Sequence, residues 1–119
     1  MAITKFEIEL PKPPALNHLY GNRRGGGRYM KPRGKTWKEE CILMVRCQGQ
    51  PRLTGKVSLL VHLYTSKHQD NDSILKVLMD SLEASEIIEN DYQIFDLRVI
   101  KHKCKLSEEK VIVTLEEIC

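Results

Sequence analysis

The sequence lacks long apolar runs, and its four cysteines form no C-x-x-C pair. A helix needs about 20 consecutive apolar residues to cross a bilayer, and a signal peptide needs an apolar stretch near the N-terminus. We therefore expect a cytoplasmic protein without membrane contact. Structural zinc sites usually use closely spaced cysteine pairs, so we predict free thiols at Cys41, Cys47, Cys104 and Cys119.

Acidic residues are absent from residues 10–38, although eight basic side chains lie there. These eight are Lys12, Arg23, Arg24, Arg28, Lys31, Arg33, Lys35 and Lys38. Residues 70–96 show the opposite bias, with eight acidic side chains and a single basic one, Lys76. Two solvated faces of opposite charge would account for this asymmetry. The functional interpretation is a polyanion-binding arm beside a cation-binding site.

The hydrophobic pattern predicts one α+β domain over residues 1–119, with two helices packed on a small mixed β-sheet. The expected order is β, basic loop or hairpin, α, β, α, β, β. Strands are predicted at residues 4–10, 56–65, 94–103 and 110–118, and helices at residues 36–48 and 72–84. Glycines 25–27 predict a flexible basic loop or loose hairpin at about residues 20–35. Thr36 is expected to cap the first helix, with Glu39 completing a capping box.

The densest chemical signal is Asp70-Asn71-Asp72-Ser73-Ile74-Leu75-Lys76, where a predicted strand leads into a predicted helix. Asp70 and Asp72 are two residues apart and point the same way in extended backbone. Lys76 lies one helical turn after Asp72. Asp91 follows the helix, and we expect the returning chain to bring it to the same place.

Clustered carboxylates of this kind favour a metal site. Two carboxylates about 4 Å apart repel by about 4 kcal/mol at an effective dielectric constant near 20, and a hard divalent cation such as Mg²⁺ relieves that repulsion with oxygen ligands. Such an ion supports phosphodiester hydrolysis, and Lys76 could face the phosphate. Singly, the same residues have structural interpretations. Asp70 would be an exposed strand end and Asp72 a helix N-cap. Lys76 would be the ion-pair partner of Asp72 or Asp80, and Asp91 a turn residue.

Other polar motifs carry weaker signals. Glu108-Glu109-Lys110 has the E-x-K spacing of restriction-type nucleases, yet it is predicted to be a polar turn leading into a strand. His62 is expected on one face of the central strand, and His68, beside the acidic motif, could contact phosphate.

These motifs together resemble the RusA family of Holliday junction resolvases. Pro13-Pro14-Ala15-Leu16-Asn17 corresponds to the family's proline-proline-x-x-asparagine element after its first strand. Asp70, Asp72, Lys76 and Asp91 correspond in order to the family's D-x-D motif, its lysine and its later aspartate. The resemblance covers about residues 6–116. It departs at Ser73, where the family usually has asparagine, and at Lys67 and His68, where its basic residues are usually more numerous.

The resemblance implies a Mg²⁺-dependent endodeoxyribonuclease, with Mn²⁺ as an alternative ion, that resolves four-way DNA junctions as a homodimer in recombination and repair. Asp70, Asp72 and Asp91 would bind the metal and Lys76 would assist catalysis. The expected DNA contacts are Lys12, Asn17, Arg23, Arg24, Arg28, Lys31, Arg33, Lys35, Lys67 and His68. One alternative is a non-catalytic nucleic-acid-binding module whose acidic cluster is structural. The other alternative is a protein-interaction domain that uses the acidic face.

Overall fold

The computed structural model describes residues 5–13, 20–22, 24–26, 28–30, 32–49, 52–67 and 71–118. These residues form six strands, two α-helices and two single-turn 3₁₀ helices. The strands are β1 (Lys5–Pro11), β2 (Tyr20–Asn22), β3 (Arg28–Met30), β4 (Val57–Thr65), β5 (Ile94–Lys103) and β6 (Lys110–Glu117). The helices are α1 (Pro32–Cys47) and α2 (Asn71–Ala84), and the 3₁₀ helices are Asp91–Gln93 and Leu106–Glu108. The predicted α+β class and element order are confirmed.

The main sheet has the strand order β1-β6-β4-β5. β6 pairs antiparallel with both β1 and β4, whereas β4 and β5 are parallel, with Val57 beside Ile94 and Thr65 beside Lys103. Parallel neighbours need a long crossover connection, and α2 provides it. The helix therefore runs back from the end of β4 to the start of β5.

Both helices cover one face of this sheet. Alternate residues of β1 and β4 are buried, as the period of two in a half-covered strand requires. The core side chains include Ile8, Leu59, Leu63, Trp37, Val45, Ile74, Leu78, Leu82, Val113 and Leu115. The indole Nε1 of Trp37 also donates a hydrogen bond of 2.9 Å to the Pro11 carbonyl, which fixes α1 against the end of β1.

Helix α1 begins four residues earlier than the sequence pattern predicted. It starts at Pro32, a residue that fits the first helical position because its φ is already helical and its missing N–H is not needed there. Thr36 therefore lies inside the helix, and the predicted cap at Thr36 with Glu39 is wrong. Gly49, with φ of +70°, follows the end of the helix, which is the usual position of a terminating glycine.

The predicted basic loop is shorter than expected. Within the part of it that the structure describes, β2 and β3 form an antiparallel hairpin in which Tyr20 pairs with Met30. Gly26 in the connecting turn has φ of +99°, which glycine adopts without steric cost. The hairpin alternative is confirmed, and residues from Pro32 onward belong to α1.

The thiols of Cys41, Cys47 and Cys104 are free, as predicted, and Cys119 lies outside the described residues. Burial raises the pKa of the Cys41 thiol to about 12, against a smaller lowering by its hydrogen bond to Ser81. Neither described helix is long and apolar enough to span a membrane.

Candidate active site

The predicted catalytic residues that the structure describes lie at the two ends of helix α2. Asp72 is in the first turn of the helix, shortly after the end of β4, and Lys76 is exposed one turn later. Asp70 lies outside the described residues, and only the backbone of Asp72 is described. The prediction that α2 begins at this motif is confirmed to within one residue, because the helix starts at Asn71.

Asp91 lies at the opposite end of the helix. It opens the 3₁₀ helix before β5, and its backbone N–H donates a 2.7 Å hydrogen bond to the Glu83 carboxylate. Glu83 is the penultimate residue of α2. At 1.5 Å per residue, about 16 Å of helix separates Asp72 from Glu83, whereas a Mg²⁺ ion needs oxygens at about 2.1 Å.

Within one chain, the length of α2 thus separates the backbone of Asp72 from that of Asp91. We expected the returning chain to bring Asp91 back to the D-x-D motif, and within one chain it does not. The reason is the parallel pairing of β4 with β5, because α2 must then run to the far end of the sheet before β5 begins. Across the described side chains, no three His, Cys, Asp or Glu groups lie close enough to share a metal ion. Asp70 and the side chain of Asp72 are outside that set.

Gln93 holds the Asp91 turn against the segment that precedes β4. Its amide oxygen accepts hydrogen bonds from the backbone N–H groups of Glu89 (2.6 Å) and Asn90 (3.1 Å). Its amide nitrogen donates to the carbonyls of Leu53 (2.9 Å) and Gly55 (3.0 Å). Asn90 and Gln93 form a capping box, so the spacing Asn-x-x-Gln was a sequence signal for this turn.

A second polar cluster lies at the other end of the sheet, where β4 leads toward the D-x-D motif. Oε2 of Glu109 accepts hydrogen bonds from the backbone N–H and the hydroxyl of Ser66, both at 2.8 Å, and from the Lys12 ammonium at 3.0 Å. The ammonium also donates to the Thr65 hydroxyl at 3.0 Å. The Lys12 and Glu109 side chains are only 14% and 16% exposed, so Glu109 is a partly buried anchor and the polar-turn prediction missed its role.

This environment sets the charge of Glu109. Burial alone raises its pKa, but the hydrogen bonds from Ser66 and Lys12, together with the Lys12 charge, outweigh that effect and lower the pKa from 4.5 to about 2. The Glu109 carboxylate therefore remains charged throughout the neutral range. A DNA phosphate would have to displace Glu109 to bind Lys12. The DNA contact at Lys12 therefore stays a prediction, and Glu109 competes with DNA for the lysine.

The other predicted DNA-binding residues fall into three groups. Arg24, Lys35 and Lys67 are exposed. Arg28 lies in β3 and Arg33 in α1, with only their backbones described. Those outside the described residues are Asn17, Arg23, Lys31 and His68.

The chain is similar to known nucleases over most of its length. A family model described as endodeoxyribonuclease RusA matches residues 11–116. A crossover junction endodeoxyribonuclease rusA from Enterobacteria phage HK97 is 30% identical over 102 residues, which cover 83% of this chain and 84% of the relative. A crossover junction endodeoxyribonuclease RusA from Aquifex aeolicus (strain VF5) is 28% identical over 115 residues, covering 93% and 90%.

The Glu109 ion pair makes stability depend on pH. At neutral pH, Glu109→Gln should lower the free energy of unfolding by about 1.5–3 kcal/mol, the usual contribution of hydrogen bonds to a charged group. A carboxylate with a lowered pKa stabilises the fold above its unfolded-state pKa and loses that effect as pH falls through its folded-state pKa. The deficit of the variant should therefore shrink between pH 4.5 and about 2.

Urea unfolding followed by circular dichroism at a series of pH values measures this deficit. Glu108→Gln, at the exposed neighbouring position, is the matched control and should behave like wild type. A Glu109→Gln deficit of constant size from neutral pH down to pH 2 would contradict the assignment.

Proposed function

The chain belongs to the RusA family of endodeoxyribonucleases, and from this premise we propose that it is a crossover junction endodeoxyribonuclease that resolves four-way DNA junctions in recombination and repair. The observation that carries the proposal is the position of the D-x-D motif. Asn71 and Asp72 of the motif lie in the first turn of α2, the helix that follows the central strand β4, in a chain that matches the family over nearly its whole length.

We further propose that Asp70, Asp72 and Asp91 hold a divalent ion, Mg²⁺ or alternatively Mn²⁺. Their fit rests on donor chemistry, because carboxylate oxygens are the ligands that these hard ions prefer. When bound, the ion supplies a more acidic attacking water and positive charge opposite the scissile phosphate. Lys76, exposed on α2 one turn after Asp72, presents an ammonium group that stabilises negative charge developing on that phosphate.

Because one chain keeps Asp91 away from Asp72, we propose that the complete site needs two chains. Asp70, Asp72 and Lys76 would come from one copy and Asp91 from the other. A two-fold homodimer then contains two equivalent sites, which suits paired nicks in strands of like polarity. The same dimer therefore satisfies both the geometry of the helix and the symmetry of the reaction.

The free edge of β5 is our candidate for the dimer surface. β5 is an edge strand of the main sheet, and it exposes Phe95 (65%), Leu97 (44%) and Ile100 (43%). An edge with exposed apolar side chains invites pairing with another strand. Antiparallel pairing about a two-fold axis puts the start of one β5 beside the end of the other. Asp91 of the partner subunit would then approach the D-x-D end of the first copy.

The basic arm is proposed to track DNA phosphates. It comprises the β2–β3 hairpin and the first turns of α1, where Arg24 and Lys35 are exposed. Lysine and arginine contacts to phosphates position DNA without reading much sequence, which suits recognition of a branched shape.

Removing one aspartate should separate cutting from binding. We expect Asp70→Asn and Asp72→Asn to abolish Mg²⁺-dependent cutting of a synthetic four-way junction. Junction affinity should stay the same or rise, because a negative charge near phosphate is lost. Cleavage gels and gel-shift titrations measure the two properties, with Asp80→Asn on the same helix as the control. A folded wild type that makes no paired nicks would refute the enzymatic proposal, and loss of binding in Asp70→Asn would make Asp70 structural.

Mixing variants should test the shared site. Asp72→Asn and Asp91→Asn homodimers should both be inactive, since each of their sites lacks one carboxylate. A mixed dimer has one intact site and one doubly substituted site. It should therefore nick a supercoiled cruciform plasmid to open circles without linearising it.

The control mixes each single variant with the Asp72→Asn/Asp91→Asn double variant, which leaves no intact site. If each site were built within one chain, the first mixture would be as inactive as this control. Differently tagged, co-expressed chains allow the mixed dimer to be purified for the plasmid assay.

Salt dependence should locate the DNA-binding arm. The logarithm of the junction association constant falls with the logarithm of salt concentration, and each lost contact to a duplex phosphate reduces the slope by about 0.9. Replacing Arg24 and Arg28 with glutamine should flatten the slope accordingly. Replacing Arg46 and Arg52, which lie outside the arm, should leave it unchanged. Equal slopes in wild type and the arm variant would show that Arg24 and Arg28 do not contact DNA phosphates.

A further inference from the structure

Three neighbouring strands of the main sheet meet at the Glu109 carboxylate. Glu109 directly precedes β6, Lys12 directly follows β1, and Ser66 directly follows β4. Because β6 lies between β1 and β4 in the sheet, the three residues come together at one end of it. Their contacts on a single carboxylate oxygen are all 3.0 Å or shorter.

The chain that leaves this cluster leads to the D-x-D motif. Ser66 precedes Asp70 by four residues. Glu109 holds the Ser66 backbone N–H as well as its hydroxyl, and Thr65 closes the turn by donating its hydroxyl to the Lys67 carbonyl at 3.0 Å. On the far side of the motif, Ile74 and Leu78 fix α2 in the core. The described contacts thus hold the chain at Ser66, before the motif, and at Ile74, after it.

Resting on the proposed function, we propose that Glu109 is a positioning residue of the active site: by fixing Ser66 it sets the place of the Asp70–Asp72 segment, and Lys12 neutralises its charge.

Stability alone is a poor explanation of this cluster. A buried ion pair often stabilises a fold no better than apolar residues of similar volume. A carboxylate that accepts a backbone N–H, however, fixes the chain direction at the end of β4 in a way that an apolar side chain does not. Its pairing with Lys12 also keeps an uncompensated negative charge away from a site that must attract DNA phosphates.

Glu109→Gln tests the proposal through metal binding. Groups that orient metal ligands typically change metal affinity or activity by about 10–100-fold. We expect about tenfold weaker Mn²⁺ binding by titration calorimetry of the DNA-free protein, and about a tenfold higher Mg²⁺ concentration for half-maximal junction cutting. Junction affinity in EDTA should stay the same or rise, because Lys12 loses its carboxylate partner, and excess Mg²⁺ should restore part of the rate.

Two further variants make the outcome decisive. Ser66→Ala removes only the hydroxyl donor, so we expect a smaller loss of metal affinity of about threefold, and it decides the matter if Glu109→Gln does not fold. Glu108→Gln, at the exposed neighbouring position, should match wild type. Folded Glu109→Gln and Ser66→Ala proteins with wild-type metal affinity and metal requirement would overturn the positioning role. A wild type that binds Mn²⁺ yet cuts no junction would instead overturn the proposed function. In that case, the Mn²⁺ affinities of wild type and Glu109→Gln would still test the positioning role of Glu109.

Discussion

The parallel pairing of β4 with β5 is the constraint on which the arrangement of this protein depends. Parallel strands cannot be joined by a tight turn, so α2 must cross the whole length of β4 between them. Asp91, just before β5, is consequently held at one end of the sheet and the backbone of Asp72 at the other. The apolar face of α2 that buries Ile74, Leu78 and Leu82 fixes this separation, because any shift of the helix would expose core side chains.

Local patterns in the sequence predicted most of the fold. The bounds of β5 were predicted to the residue, and those of β4 and α2 to within one residue, because alternation and helical spacing are properties of the segment itself. The start of α1 was predicted wrongly because there the local pattern and the packing disagree. Pro32 and Gly34 are typical of loops, but the buried position of Gly34 in the first turn shows that packing overrides that local preference.

The candidate site was less predictable, because its geometry depends on contacts between segments distant in sequence. Glu109 is 43 residues from Ser66 and 97 from Lys12, so neither partner was visible in the motif Glu108-Glu109-Lys110. The acidic stretch at residues 70–96 likewise suggested one cluster, whereas Asp72 and Asp91 lie at opposite ends of α2. Linear charge density records how many carboxylates a segment carries, and strand direction decides which of them can meet.

The separation of the two halves also bears on how such an enzyme would control its chemistry. Carboxylates gathered within one chain would repel one another in every folded monomer, at a cost that falls with distance and dielectric screening. Holding Asp91 at the other end of α2 keeps that third carboxylate out of the repulsion in the monomer. In the proposed dimer, the full repulsion would arise only when two copies associate, where exposed apolar side chains of β5 and a bound divalent ion would offset it. A metal site shared between two copies in the proposed way would couple hydrolysis to dimer formation, so that both strands of a symmetric junction would face a complete site or neither would.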